Sequence, residues 1–201
     1  MKLTHLKMTT LGILLVTSVA QAASQPEPGK YTFDPAHSKI GFDVTHLVIS
    51  SVEGRFGSFE GEIEIPKNFK NTQIQATVLT QSINTQNEKR DGHLRSPDFF
   101  EVDKHPKMIF KSKKISGTPK SFKMTGDLTM KGVTKEVVFD GKYLGSVGDG
   151  YGNTKVAFTA SSEINRKDFG LTWNKMVEAG PTVGDKVTID LKIQAAKPDK
   201  Q

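Results

Sequence analysis

In KVTIDLKI, residues 186–193, every second side chain is apolar: Val187, Ile189, Leu191 and Ile193 alternate with Thr188, Asp190 and Lys192. Period-two alternation gives an extended chain one apolar and one polar face, which a helix of period 3.6 cannot do. The pattern recurs along the chain. KIGFDVTHLV (39–48) sets Ile40, Phe42, Val44 and Val48 on one face, and KSFKMTGDLTM (120–130) does so with Phe122, Met124, Leu128 and Met130. TKVAFTASSEI (154–164) repeats it with Val156, Phe158, Ala160 and Ile164. Weaker matches fall at 55–65, 73–83, 107–115 and 135–144, and turn signals such as GSVGDGYG (Gly145 to Gly152) separate the runs. About eight half-buried antiparallel strands in succession predict an all-β chain, either a sandwich or a closed up-and-down barrel. Phe56 and Phe59 fall out of phase within one run, and Gly57 between them predicts a bulge or bend.

One stretch departs from this pattern. NEKRDGHLRSPDFFEVDKHP (87–106) gathers two histidines, several charges and two adjacent phenylalanines. Thr85 and Glu88 have capping-box spacing, which predicts a short helix to about Leu94. Ser96-Pro97-Asp98 gives a second start signal, so two short helices are expected here. His105 precedes Pro106 and is biased toward extended backbone, returning the chain to a strand at PKMIFKSKK.

The start of the chain reads as a leader. Lys2 and Lys7 precede the apolar run LGILLVTSVA, and Ala20-Gln21-Ala22 supplies the small residues of a cleavage site, so residues 1–22 are expected to be a signal peptide cut after Ala22. The run is too short to span a bilayer, which takes roughly 20 apolar residues. The mature chain, residues 23–201, is expected to be one domain, exported to the periplasm and soluble. It contains no cysteine, so neither a disulfide, a thiolate nor a lipoprotein anchor enters its chemistry. Losing Lys2 and Lys7 takes the net charge from +6 to +4, and the remaining lysines are scattered, which argues against nucleic acid as a partner.

The polar residues carry weak catalytic signals. His37, His46, His93 and His105 fall in separate elements with no metal-ligand spacing, so no metal site is expected. His93 with Asp91 or Glu88 is the one candidate acid–base group. The alternative is that Arg90, Asp91 and His93 tie the helix to the barrel rim while Leu94, Phe99 and Phe100 turn inward as a plug. SVEGRFGSFEG is glycine-rich but lacks the Lys-Ser/Thr of a phosphate loop, and it is expected to be a bulged strand. Arg166, Lys167 and Asp168 are expected to make rim hydrogen bonds.

Five stretches together resemble the YceI-like periplasmic family: AHSKIGFDVTHLVISSVEGRFGSFEG, RDGHLRSPDFFEVDKHPKMIFKS, GDLTMKGVTKEVVF, INRKDFGLTWNK and VGDKVTIDLKI. They run through nearly the whole mature chain in the family's order. The resemblance implies a lipocalin-like antiparallel eight-stranded barrel with a short helical insertion. It also implies a polyisoprenoid or similar long-chain lipid, such as an isoprenoid quinone, held in the lumen, with transport or a stress response as its setting and no catalytic residue set. The inward faces then supply Phe42, Val44, Phe56, Val78, Phe110, Phe122, Leu128, Phe158, Ala160 and Ile189 as expected ligand-binding residues of the lumen. Leu94, Phe99, Phe100 and Trp173 are expected at its mouth. Small inward residues (Ala76, Thr80, Gly126, Ala160, Ser162) beside the phenylalanines either interdigitate with them or leave a slot. No cofactor, metal or stable membrane insertion is expected, and a homodimer is left open. Two other functions remain alternatives: an enzyme acting on a lipid or isoprenoid quinone, and a stress-induced structural or interaction protein.

Overall fold

The computed structural model describes residues 25–199, so the expected leader lies outside the described residues. The alternating runs are strands. In chain order they are β1 (Gly29–Phe33), β2 (Lys39–His46), β3 (Ser50–Phe56), β4 (Phe59–Ile65), β5 (Gln73–Leu79), β6 (Ile83–Asn84) and β7 (Lys107–Thr118). There follow β8 (Ser121–Met130), β9 (Val133–Gly148), β10 (Asn153–Asn165), the small hairpin of β11 (Met176–Val177) and β12 (Gly180–Pro181), and β13 (Val183–Pro198).

Eight staves pair antiparallel, each with the next, around a closed barrel. The first stave is β1 with β2, and the second is β3 with β4. β13 closes the ring: one edge pairs with β10 from Asn153↔Pro198 to Asn165↔Lys186. Its other edge takes β2 at Val187↔Val44 to Lys192↔Lys39 and β1 at Thr32↔Ala196. Closure leaves these staves no free edge to recruit another chain.

Both broken staves break for local reasons. Between β1 and β2, Asp34 caps a turn of 3-10 helix (Pro35–His37) by accepting from the Ala36 N–H at 3.1 Å. Between β3 and β4, Gly57 donates its N–H to the Ser82 carbonyl at 3.1 Å, so Phe56 and Phe59 both turn inward across the bend and are buried. This is the irregularity that the phase slip predicted.

Four expectations need correcting. Val48 does not continue the β2 face: Leu47 and Val48 have φ of 51° and 67°, forming a tight turn, and Val48 is exposed. β9 runs through Gly148, so the turn predicted over Gly145 to Gly152 occupies only its second half. The helix α1 (Glu88–Arg95) is capped by Asn87, whose side chain accepts from the Arg90 N–H, and not by Thr85. No second helix follows. Ser96-Pro97-Asp98 forms tight turns, in which the Ser96 carbonyl accepts from the Phe99 and Glu101 N–H groups. A helix there would have to continue where Glu101 instead adopts a left-handed φ of 48°.

The two ends of the barrel differ. The end with the β4–β5, β7–β8 and β9–β10 turns is a packed floor, where Tyr31, Ile65, Val156 and Ala195 are at most 2% exposed. The other end carries the β2–β3 turn, α1 and the connection from β10 to β13.

A one-ended apolar cavity

The middle of the barrel is hollow. A cavity of about 360 Å³ runs between the floor and α1, within the roughly 300–1,000 Å³ of pockets that hold small ligands. Its walls are the inward faces of the staves, and at mid-height Phe42, Val44, Phe110, Ala160, Val187 and Ile189 keep partial exposure toward the lumen.

Register explains how a barrel so rich in phenylalanine stays hollow. Phe42 on β2 lies directly opposite Gly54 on β3. Its ring occupies the place a Gly54 side chain would take, with Cζ 2.2 Å from where a Cβ would stand. Phe122 is likewise opposite Gly141, with ring atoms 2.3 Å from that position. Phe33 over Gly61 and Phe110 over Gly126 repeat the arrangement. Each ring lies down on the neighbouring strand rather than pointing at the barrel axis, because a glycine there leaves room for close approach. Of the small residues read as inward, Ala76 and Ala160 line the cavity and Gly126 lies under the Phe110 ring, whereas Thr80 and Ser162 are buried off the cavity wall.

The segment 85–106 closes the upper end. Asp91, 5% exposed, accepts from the Thr85 N–H at 2.9 Å and from the Thr85 hydroxyl at 2.5 Å. Arg90 donates to the Thr85 hydroxyl and carbonyl, and Arg95 donates to the Gln81 and Ile83 carbonyls. These bonds tie α1 back to the strand end before it. With the helix so held, Leu94, Phe99 and Phe100 face the cavity, and Phe100 meets Phe56 edge-on at 5.8 Å.

His93 is bonded differently from expectation. Its Nε2 lies 2.8 Å from the Asp98 carboxylate, not against Asp91 or Glu88, while its ring packs edge-on against Phe99 at 5.1 Å and Trp173 at 4.9 Å. The imidazole joins the two walls of the mouth. Among the described residues, no group of three or more His, Asp or Glu side chains is placed to share a metal ion.

Arg166 holds the opposite rim. It is 3% exposed, and burial lowers its pKa from the usual value while Asp185 acts in the other sense. Its guanidinium donates to the Leu171, Trp173 and Gly184 carbonyls at 2.5, 2.8 and 2.8 Å. The fork thereby folds the β10–β13 connection over the barrel and sets Trp173 at the mouth. Lys167 pairs with Asp185 at 2.8 Å on the outside. Where this connection meets the β2–β3 turn, the Leu47 N–H donates to the Thr182 carbonyl, and Val48, Ile49 and Met176 stand exposed.

Every residue expected in the lumen or at its mouth lies on the cavity wall. The sequence reading missed the lower wall: Phe33, Ile63, Phe69, Thr72 and Ile193. The signal was partly present, since Thr72 is in phase with Ile74, Ala76 and Val78. Ile193 shares its inward face with Val187, Ile189 and Leu191 in the alternation.

Fold and cavity together define a lipocalin-like barrel, closed on itself around one apolar cavity. The chain belongs to the YceI family: the family model described as a YceI-like domain matches residues 31–195. It is 39% identical over 170 residues to the UPF0312 protein SAS2572 of Staphylococcus aureus strain MSSA476, covering 83% of this chain and 94% of that one. The solved Campylobacter jejuni YCEI protein is 34% identical, with a TM-score of 0.64 over 84% of this chain and 96% of that one. A polyisoprenoid binding domain from Saccharophagus degradans has the same fold, with a TM-score of 0.62 at 16% identity, covering 84% of this chain and 98% of that one.

Proposed function

We propose that this chain is a periplasmic binding protein that carries one long apolar molecule, a polyisoprenoid or similar lipid, along the barrel axis. The observation that carries this reading is the cavity wall. Its middle is built from aliphatic and aromatic side chains, and its charged members, Arg90 and Arg166, belong to the mouth. Such a wall suits hydrocarbon and would leave a sugar or peptide with unmade hydrogen bonds. The Saccharophagus degradans domain described as polyisoprenoid binding supports the ligand class. Signal-peptide features at 1–22 support export, and no helix among the described residues is long and apolar enough to cross a membrane.

Binding in this reading needs no metal or cofactor. Each methylene moved from water into the cavity contributes about 0.8 kcal/mol, so roughly ten of them give about 8 kcal/mol before ordering costs. Retention through purification is then expected. Mass spectrometry of an organic extract of the purified protein should show a stoichiometric long-chain lipid. Ala160→Trp, which puts an indole into the lumen, should abolish binding of a fluorescent isoprenoid and hardly move the thermal midpoint. A lipid-free extract from a protein that also fails to take up the fluorescent isoprenoid would refute the reading.

A further inference from the structure

The apolar surface of the cavity does not stop at its rim. The lining reaches Thr45 and His46 at the end of β2, and Trp173 and Thr182 on the β10–β13 connection. Beyond it, on the β2–β3 turn and the β11–β12 hairpin, Val48, Ile49, Met176 and Val177 are 56, 88, 70 and 39% exposed. The two loops stand side by side: the Leu47 N–H donates to the Thr182 carbonyl at 2.9 Å, and a Cβ on Gly180 would lie 3.5 Å from a Val48 methyl. LVISSV (47–52) carries no charge. Lys175 and Glu178, both exposed, flank the patch with one charge of each sign.

Among the described residues nothing covers this patch. Both ends of the described chain lie at the floor, where Lys197 bonds Glu27 and the Asp199 N–H donates to the Gly152 carbonyl. With the expected leader removed, the outlying residues 23–24 and 200–201 each span about 7 Å, too little to reach the mouth. A second copy of the chain fits poorly, because four apolar side chains fall far short of the roughly 20–30 residues a stable interface takes from each partner.

We propose that the rim is a membrane-docking surface: Val48, Ile49, Met176 and Val177 enter the headgroup–acyl boundary of a lipid bilayer, mouth first. The inference rests on the lipid-carrier reading and deepens it by naming where the guest is collected and delivered. Docked in this way, the patch makes an unbroken apolar path from bilayer to lumen, so the guest need not cross water. The paired signs of Lys175 and Glu178 suit headgroups without net charge. Apolar insertion then holds the protein, and salt leaves it in place.

Vesicles of phosphatidylcholine and phosphatidylethanolamine carrying a fluorescent farnesol analogue test this on the full mature protein. The parent should float with the vesicles at low and high salt. Ile49→Asp with Met176→Asp should lower both the floating fraction and the rate of analogue transfer about tenfold or more. Its thermal midpoint and its affinity for the analogue added from solution should match the parent's, since neither residue lines the cavity. Leu144→Asp with Val147→Asp is the control, because these side chains are 57 and 66% exposed at the floor end. It should float and transfer like the parent. Equal behaviour of the two double variants, or release of the parent by salt, would overturn the docking surface. So would a parent dimer in solution that the rim variant splits, since a second copy would then cover the patch. Flotation lost only in the rim variant would support docking even for a parent that takes up no analogue, a result that sinks the carrier reading alone.

Discussion

Among single residues, Arg166 shows how one side chain can shape a mouth. Its guanidinium serves the Leu171, Trp173 and Gly184 carbonyls, reaches that of Val183 at 3.4 Å, and lies almost wholly out of water. Arg166→Met would keep the apolar stem and orphan those acceptors, at an expected cost of about 2–4 kcal/mol. Arg166→Lys should recover only part of it, because an ammonium cannot reach three separated carbonyls with a planar fork. Equilibrium denaturation of the two variants measures both. The sequence reading placed Arg166 among rim hydrogen bonds but could not see its weight, since its partners are backbone atoms and carry no residue signature. The same limit applies to Thr85. Its spacing from Glu88 reads as a cap, yet its N–H and hydroxyl are donors to Asp91, and the cap is Asn87. Two competing hydrogen-bond donors and acceptors within three residues look alike until the chain folds.

The strand pair is the unit that keeps the lumen hollow. Gly54 and Phe42 form one of the four ring-on-glycine pairs, and Phe42 is only partly buried. Gly54→Val should drive that ring off the β3 wall into the cavity, which has room for it. The expected result is at least a tenfold loss of isoprenoid binding, with little change in stability. Gly141→Val makes the same demand deeper down, where Phe122 is 5% exposed and packs against Phe69 at 5.4 Å. There the overpacking should cost about 1–3 kcal/mol instead. Calorimetry and lipid titration of the two variants separate the outcomes. The alternation revealed which residues point inward but not where their rings go, because ring placement depends on cross-strand register. Strand ends were equally hidden. The β2 alternation runs on in the letters to Val48, but the chain turns at Leu47 into two consecutive left-handed residues, neither of them glycine. Such residues cost strain that a turn prediction does not anticipate.

At the scale of the molecule, the number of staves was legible because each carries its own alternation, and the helical insertion was legible because it breaks it. β1 was not. GKYTF offers only Tyr31 and Phe33, and Pro35 separates it from the rest of its stave. Nor could closure be read from the chain, since it depends on β13 being long enough to meet β10 along one edge and both β1 and β2 along the other. The floor described above has a consequence for traffic. Tyr31, Ile65, Val156 and Ala195 make the barrel a blind alley, and a blind alley filled by its resident has no passing place. A second guest cannot push the first through, because the resident must back out before the newcomer can go in. Exchange is therefore single file, and its tempo is set by departure alone. In a chase of labelled lipid with unlabelled competitor, the label should leave along one exponential whose rate stays the same when the competitor is raised tenfold. A rate that climbs with competitor would mean either that two chains share the lumen during the swap or that the floor opens.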